Sequence, residues 1–464
     1  MDLDITAALA GSAGLGGVQW LLREPPAREA LRTTLGALLA PGMSIGALEL
    51  QRAKYKPGRY MQTYYAAELL DAHGAPAGTR LVEVNWMAPG RPDPRGAAER
   101  IPAMQAEIVA RGLAAPFTAL AATHPEWGMF VQVAPLDAEY PQLARLSEPA
   151  YVRELLATAP AVRAEAASWR VTPIRYRPGQ RHVLRYDPAN SAGQIDQART
   201  LFAKIYNSDK GARTFKTATT VSSWLEAQSI GIGAARPHSY IAGENLVLYP
   251  RVSGTPLSEL LHTPGPSTDA YLRAAGAAIK ALHATPEQLV ELQPHSFAKE
   301  LKSIVSAAEY VSPLLPSTGA AIATLIARAQ ALHDRLPPVT PSFAYGDFKA
   351  DHLWITPAGM TLIDFDTCYL ADPAIDLGKF LADIQFWYDG YGQPGAAAAQ
   401  DQFLAGYGDS TAEQRLRARL YEALVLTKST VRRVKLFDPD WATRVARLVA
   451  RAGAAIDQAE ALAT

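Results

Sequence analysis

Two carboxylates stand at the ends of one short segment of this chain. Asp347 lies in Tyr345-Gly346-Asp347-Phe348-Lys349-Ala350-Asp351-His352, and Asp364 falls in Ile363-Asp364-Phe365-Asp366. Between them, Leu353-Trp354-Ile355-Thr356, Pro357-Ala358-Gly359 and Met360-Thr361-Leu362-Ile363 read as a β-hairpin. A hairpin brings the chain back to where it started, so the two acids are expected close in space. One can orient a hydroxyl and accept its proton. The other can hold a divalent metal on the phosphates of a nucleotide. Phosphoryl transfer needs those parts: positioning, a base and charge neutralisation. Taken singly, each aspartate is equally well a turn residue or a helix cap.

The elements that must position these residues alternate between strand-like and Ala/Leu-rich helical blocks. Arg28 to Leu39 reads as a helix ended by Pro41-Gly42. Glu49 to Ala66 reads as two strands around Lys56-Pro57-Gly58, Arg80 to Met87 as a strand, Ala98 to Leu113 as a helix and Gly128 to Val133 as a strand. The order then recurs. Thr172 to Tyr186 gives two strands around Arg177-Pro178-Gly179, Leu201 to Tyr206 a third, Arg213 to Gln228 a helix, and Asn245 to Val252 a strand. Tyr55-Lys56-Pro57-Gly58-Arg59 superposes on Tyr176-Arg177-Pro178-Gly179-Gln180 at an offset of 121, a candidate internal duplication. From Pro256 onward the pattern is helical except around Phe343 to Asp364, and the run Ala396 to Ala399 opens a helix.

With 464 residues, 48% of them hydrophobic and 19% charged, the chain has globular composition and room for two or three domains. Lys plus Arg and Asp plus Glu each number 45, which argues against a polyanion binder driven by bulk charge, and no nucleic-acid partner is expected. The single cysteine, Cys368, excludes an intrachain disulfide and paired CxxC zinc sites, and points to a reducing, cytoplasmic compartment. Its neighbourhood suits a small buried thiol better than a nucleophile. The opening Met1-Asp2-Leu3-Asp4 makes a poor secretory signal, and no uncharged apolar run reaches about 18 residues, so no membrane span is expected. Arg415, Arg417, Arg419, Arg432, Arg433, Lys435, Arg444, Arg447 and Arg451 are read as solvated helix faces. Gly42-Met43-Ser44-Ile45-Gly46 matches a nucleophile elbow in letters only, because a helix precedes it and a strand follows.

Several motifs, in one order, resemble the aminoglycoside phosphotransferase family of small-molecule kinases with a protein-kinase-like fold. They are Tyr345-Gly346-Asp347, Leu362-Ile363-Asp364-Phe365-Asp366, Asp372-Pro373-Ala374-Ile375-Asp376-Leu377 and the helical Ala281-Leu282-His283. Upstream, Tyr176 to Tyr186 resembles the first two strands, Phe202-Ala203-Lys204-Ile205-Tyr206 the strand with the phosphate-binding lysine, and Leu246 to Gly254 the hinge. The resemblance covers roughly residues 165 to 410. It implies an α+β, bilobal protein-kinase-like fold: an N-lobe over 151–255, a helical C-lobe over 256–464, and an additional α+β cap over 1–150 that is a candidate degenerate N-lobe copy. At the offset of 121, Glu83 takes the place of Lys204, and a glutamate cannot bind phosphate.

By the same resemblance Asp347 would be the catalytic base, Asp364 the metal ligand, Lys204 the phosphate anchor, and Asp376 a brace for the catalytic loop. Groups at Tyr249, Arg251 and Val252 would meet the adenine. The cofactors implied are ATP and Mg²⁺, with Mn²⁺ as an alternative. Two departures matter. Tyr345 replaces the family's usual His, and His352 replaces the loop Asn that serves as second metal ligand. Imidazole suits manganese better than magnesium. Either His352 bonds the loop or a phosphate, leaving Asp364 and Asp366 to the metal, or the second metal site is lost. Glu226, the only acid between Gly211 and Gln228, is the lysine's partner or a surface charge. The activity implied is transfer of the γ-phosphoryl group to a small-molecule hydroxyl, of a sugar or amino sugar. The rival is a pseudokinase-like binding module. Phe386-Trp387-Tyr388 and Tyr391 could stack on a sugar, and at helical spacing are favoured as core.

Overall fold

The computed structural model describes residues 4–87, 99–159 and 168–463. It is an α+β protein, as expected, and its contacts divide it into two compact units. The first comprises Met1–Ala212, His238–Arg251 and Lys435–Pro439; the second comprises Arg213–Pro237, Val252–Val434 and Asp440–Thr464.

The first unit opens with helices Ile5–Ala10, Gly14–Arg23 and Pro25–Gly36. The last begins three residues earlier than expected, at a proline, whose fixed φ and missing N–H suit a first helical turn. A five-stranded sheet follows: β1 Ser44–Lys56, β2 Tyr60–Leu70, β3 Pro76–Met87, β4 Ala121–His124 and β5 Met129–Val133. Its order is β1-β2-β3-β5-β4, and helix Ile101–Ala110 lies between β3 and β4 in the chain. Ala98, the expected start of that helix, lies outside the described residues. Short β4 carries no alternation and was not legible in the sequence.

The second sheet holds β6 Ser168–Arg177, β7 Arg181–Ala189, β8 Leu201–Ile205, β10 Ser239–Ile241 and β11 Leu246–Pro250. Its order, β6-β7-β8-β11-β10, is that of the first sheet. Both sheets close their last hairpin through a 3-10 turn, Pro125–Trp127 or Ala242–Glu244, ended by a left-handed residue, Gly128 or Asn245. Strand register corrects one equivalence. Lys56 pairs with Tyr60 as Arg177 pairs with Arg181, which matches β2 to β7 at the offset seen in the sequence. Asn85 then faces Gln62 as Lys204 faces Val183, so the counterpart of Lys204 is Asn85 and not Glu83. The excursion from β7 to β8 is two residues shorter than its counterpart, which a fixed sequence offset cannot follow. Glu83 is buried and accepts from Nε2 of Gln62 at 3.0 Å and Nδ2 of Asn85 at 3.4 Å. Neither residue is a cation.

The second unit is mainly helical, with two small sheets. β9 Ile232–Ala234, β12 Thr255–Pro256, β14 Leu353–Thr356 and β15 Gly359–Leu362 form one, in the order β12-β14-β15-β9; β13 Ser342–Ala344 pairs with β16 Tyr369–Ala371. Phe343, Tyr345, Phe348, Phe365, Phe380 and Phe403 are fully buried in its core. Helices Pro266–His283 and Ala396–Tyr407 meet at glycines: a Cβ on Gly276 would lie 2.1 Å from the carbonyl oxygen of Phe403, and one on Gly406 would lie 2.0 Å from that of Arg273. Backbone cannot yield as a side chain can. Gly276→Ala is therefore expected to cost about 3 kcal/mol or more, read as a lower thermal midpoint.

The basic C-terminal residues are not simply solvated. Arg417, 4% exposed, pairs with Asp372 at 3.3 Å and Glu413 at 2.7 Å. Arg444, Arg447 and Arg451 converge on buried Asp389. A carboxylate removed from water must be paired, and these helices supply the cations. No helix among the described residues is long and apolar enough to cross a membrane.

Candidate active site

The pairing of β13 with β16 pins both ends of residues 345–368, and the β14–β15 hairpin folds the middle back on itself. Asp347 and Asp364 therefore sit on either side of the hairpin's base. Gly346 has φ +77°, and a Cβ there would lie 2.4 Å from the carbonyl oxygen of Thr367. Only glycine fits this approach. Asp364 also adopts a left-handed conformation, φ +70°, an uncommon backbone for a non-glycine residue and one that clusters at functional sites.

One helix braces the loop at two points. In Ala374–Gly390, Asp376 and Asp383 are two turns apart on the same face. Asp376 accepts from the backbone N–H of Tyr345 at 2.7 Å and of Gly346 at 2.8 Å, just ahead of Asp347. His283 Nε2 lies 3.2 Å from it, and its Nδ1 lies 3.1 Å from the Tyr407 hydroxyl. Asp383 accepts from the Ala350 N–H at 2.6 Å and pairs with Arg433. Arg433 in turn lies over the Phe386 ring, 3.9 Å from its centroid. Phe386 and Tyr388 are buried, and Trp387 stacks on Tyr391 at 5.3 Å. These aromatics are core and loop support.

Asp347 is half-buried among cations. Lys349 Nζ lies 2.8 Å from Oδ2, Lys379 Nζ lies 3.3 Å from Oδ1, and His352 Nδ1 lies 3.7 Å from Oδ2. Burial alone would raise its pKa, but Lys379, His352 and Lys349 together outweigh it and hold the carboxyl below the usual range. Lys379 also donates to the Gly346 carbonyl. Lys379 belongs to none of the sequence motifs above. Its spacing of three from Asp376, on one helix face, was the available signal for it, as the spacing of seven was for Asp383. Cys368 carries a thiol whose pKa burial raises well above normal, with Asp376, Asp366 and Asp364 adding to the effect, so it stays protonated.

His352 links the two ends of the hairpin, with Nε2 3.7 Å from Asp364 Oδ2. The Tyr345 hydroxyl donates to the Ile363 carbonyl, and its oxygen lies 3.3 Å from His352 Nδ1. In that arrangement Nδ1 donates to the tyrosine oxygen, and Nε2 faces the Asp364 carboxylate. Imidazole nitrogen and carboxylate oxygen are both metal-ligating groups, and here they face each other at the hairpin's base. Among the described residues no three His, Cys, Asp or Glu side chains group to hold a metal by themselves. The donor set therefore suits an ion that keeps oxygens from water and phosphate, as Mg²⁺ does.

The other expected residues lie in different surroundings. Lys204, 9% exposed, lies on β8 between Val183 and Val247, with Nζ 5.9 Å from the Tyr249 ring centroid. The Arg251 N–H donates to Thr200 O at 3.1 Å, and its guanidinium to Gln197 at 2.6 Å. Val252 is partly buried. Glu226 belongs to the second unit, where Ser222 donates to it at 3.2 Å and Arg236 lies 3.7 Å away; its side chain is 58% exposed. Asp366 flanks the site and acts electrostatically on Tyr345 and Cys368.

No curated protein sequence matches this chain. Solved structures similar to it include a choline/ethanolamine kinase family protein from Mesorhizobium loti, 16% identical with a TM-score of 0.44, covering 66% of this chain and 93% of that one. Spectinomycin phosphotransferase, solved with ADP and spectinomycin, is 12% identical with a TM-score of 0.44, covering 68% and 98%. An aminoglycoside phosphotransferase from Streptomyces rimosus is 18% identical with a TM-score of 0.38, covering 60% and 97%. The sequence model of the phosphotransferase enzyme family matches residues 185–421, from β7 through the β14–β15 hairpin into the helix Ala412–Arg432. That match spans just over half of the chain, which therefore belongs to the phosphotransferase enzyme family.

Proposed function

We propose that the protein transfers the γ-phosphoryl group of ATP to a hydroxyl of a small molecule, a sugar or amino sugar, in the cytoplasm. The observation that carries this reading is Asp347, braced at the loop start by Asp376, set among Lys349, Lys379 and His352, with Asp364 across the hairpin. Asp347 orients the acceptor hydroxyl and receives its proton. A carboxylate held so firmly ionised is a weak base, which suits the loose transition state of phosphoryl transfer, where the proton moves late. Lys204 anchors the phosphates, and the segment Tyr249 to Val252 meets the adenine. Asp364, with Asp366 and His352, would hold Mg²⁺ or Mn²⁺; the ion supplies charge neutralisation on the phosphates. The exposed, separately paired Glu226 favours the surface-charge reading of that residue.

Thermal-shift titration tests the nucleotide and metal together. A ligand specific for the native state stabilises by about 2.7 kcal/mol at a hundred times its Kd. ATP with Mg²⁺ or Mn²⁺ is expected to raise the unfolding midpoint by several degrees, and ATP with a chelator much less. No shift with either ion would favour a binding module for some other partner. His352→Asn, which replaces an imidazole by an oxygen donor, is expected to move the preference toward Mg²⁺. An unchanged ratio would remove His352 from the metal set. A turnover screen over neutral and amino sugars then tests the acceptor class.

A further inference from the structure

We propose that the first sheet and the segment after it clamp the β6–β7 turn, with Asp137 as a positioning residue for the nucleotide phosphates. The inference rests on the kinase reading above, since a glycine turn between the first two strands of a kinase-like lobe covers the phosphates. That turn, Pro178-Gly179-Gln180, joins the edge strand β6 to its neighbour β7 and would be mobile if left alone.

Here it is held from several directions within one unit. Asp137 Oδ2 accepts from the Gly179 N–H at 2.8 Å and lies 2.7 Å from His182 Nε2. Its Oδ1 accepts from the Glu139 N–H at 2.9 Å. The Tyr140 hydroxyl donates to the Gln180 carbonyl at 2.7 Å, and Tyr176 donates to that of Leu136. From β2, Tyr64 and Gln62 take the Gln180 side-chain amide at 3.1 and 3.3 Å. Asp137 and His182 are 2% and 1% exposed. His182 Nδ1 is buried and has no hydrogen-bond partner among the described residues. A carboxylate only accepts, so His182 donates through Nε2 to Asp137. Three N–H donors thus hold one buried carboxylate.

Strand alternation shows what the clamp controls. Tyr176 and His182 point to the buried face, where the clamp acts. Arg175, Arg177, Arg181 and Val183 lie on the opposite face, the one that carries Lys204. The arginines repel each other: burial, then Arg52, Arg175 and Arg181, push the Arg177 pKa down to about 9. A turn fixed against that repulsion presents its positive charge in one place. The position equivalent to Lys204 in the first sheet is Asn85, so this sheet contributes hold rather than a second phosphate site.

The test measures the Kd of Mg·ATP by calorimetry and amide exchange over residues 176–183, on the full chain. Asp137→Ala is expected to weaken Mg·ATP about tenfold and to speed exchange at Gly179, with Asp137→Asn in between. Should Asp137→Ala fail to fold, Tyr64→Phe carries the same test, with an expected weakening of about twofold. Folded variants with faster exchange but a wild-type Kd for Mg·ATP would overturn the proposal. Wild-type protein that binds no Mg·ATP would overturn the kinase reading, a failure visible before any variant is made.

Discussion

Asp347→Asn is expected to reduce phosphoryl transfer about a thousandfold while leaving Mg·ATP binding within about twofold. The substitution keeps the side chain's size and removes its charge. Lys379 retains its bond to the Gly346 carbonyl, so the loop holds its shape. What is lost is the acceptor for the substrate hydroxyl's proton. An assay of ADP release with an active acceptor, paired with calorimetry, separates the two effects. A variant with wild-type turnover would remove Asp347 from the base role. The pH profile gives an independent check. Burial opposes ionisation, but Lys379, His352 and Lys349 prevail and keep the folded-state pKa below the ordinary carboxylate range. The group is thus ionised from neutral to mildly acid pH, and its contribution to stability is lost only as pH falls through that depressed value. An acid limb of activity close to neutrality must come from another group, and one that vanishes in Asp347→Asn would contradict this assignment.

Asp376→Ala carries the second large effect, on both stability and rate. Asp376 is fully buried and accepts from two backbone N–H groups at the start of the loop that carries Asp347. Without it those amides and His283 lose their partner, at a cost of roughly 3 kcal/mol or more. The loop would then place Asp347 loosely. A displacement of about 1 Å can lower the rate about a hundredfold. Asp376→Asn keeps one carbonyl acceptor and should fall between alanine and wild type in both thermal midpoint and kcat. A loss of stability with kcat intact in the folded fraction would show that Asp376 supports the core without aligning Asp347. Asp383, which holds the loop's other end through Ala350, provides a matched variant on the same helix.

Much of the site was legible because it is local. The hairpin between Asp347 and Asp364, the glycine before Asp347, and the aspartate that opens the bracing helix are short-range patterns, and short-range geometry determines turns and strand alternation. The recurring Pro-Gly turn likewise announced two similar strand pairs, which the structure completes as two sheets of one strand order. Other features waited on packing. A fixed offset pointed to Glu83, and only the ladder register, set by how neighbouring strands pair, identified Asn85. Asp383, Lys379 and Arg433 carry no motif; they matter because a helix face meets the loop and a later helix brings a guanidinium back to it. Asp137 reaches Gly179 across 42 residues, and the C-terminal arginines, read as solvated, converge on Asp389 because a buried carboxylate must be paired. Residue spacing by itself determined which groups could do chemistry, since period and turn type are properties of a few consecutive residues. Which partners hold those groups was decided only by the tertiary structure, since such partners are chosen by packing between segments far apart in the chain.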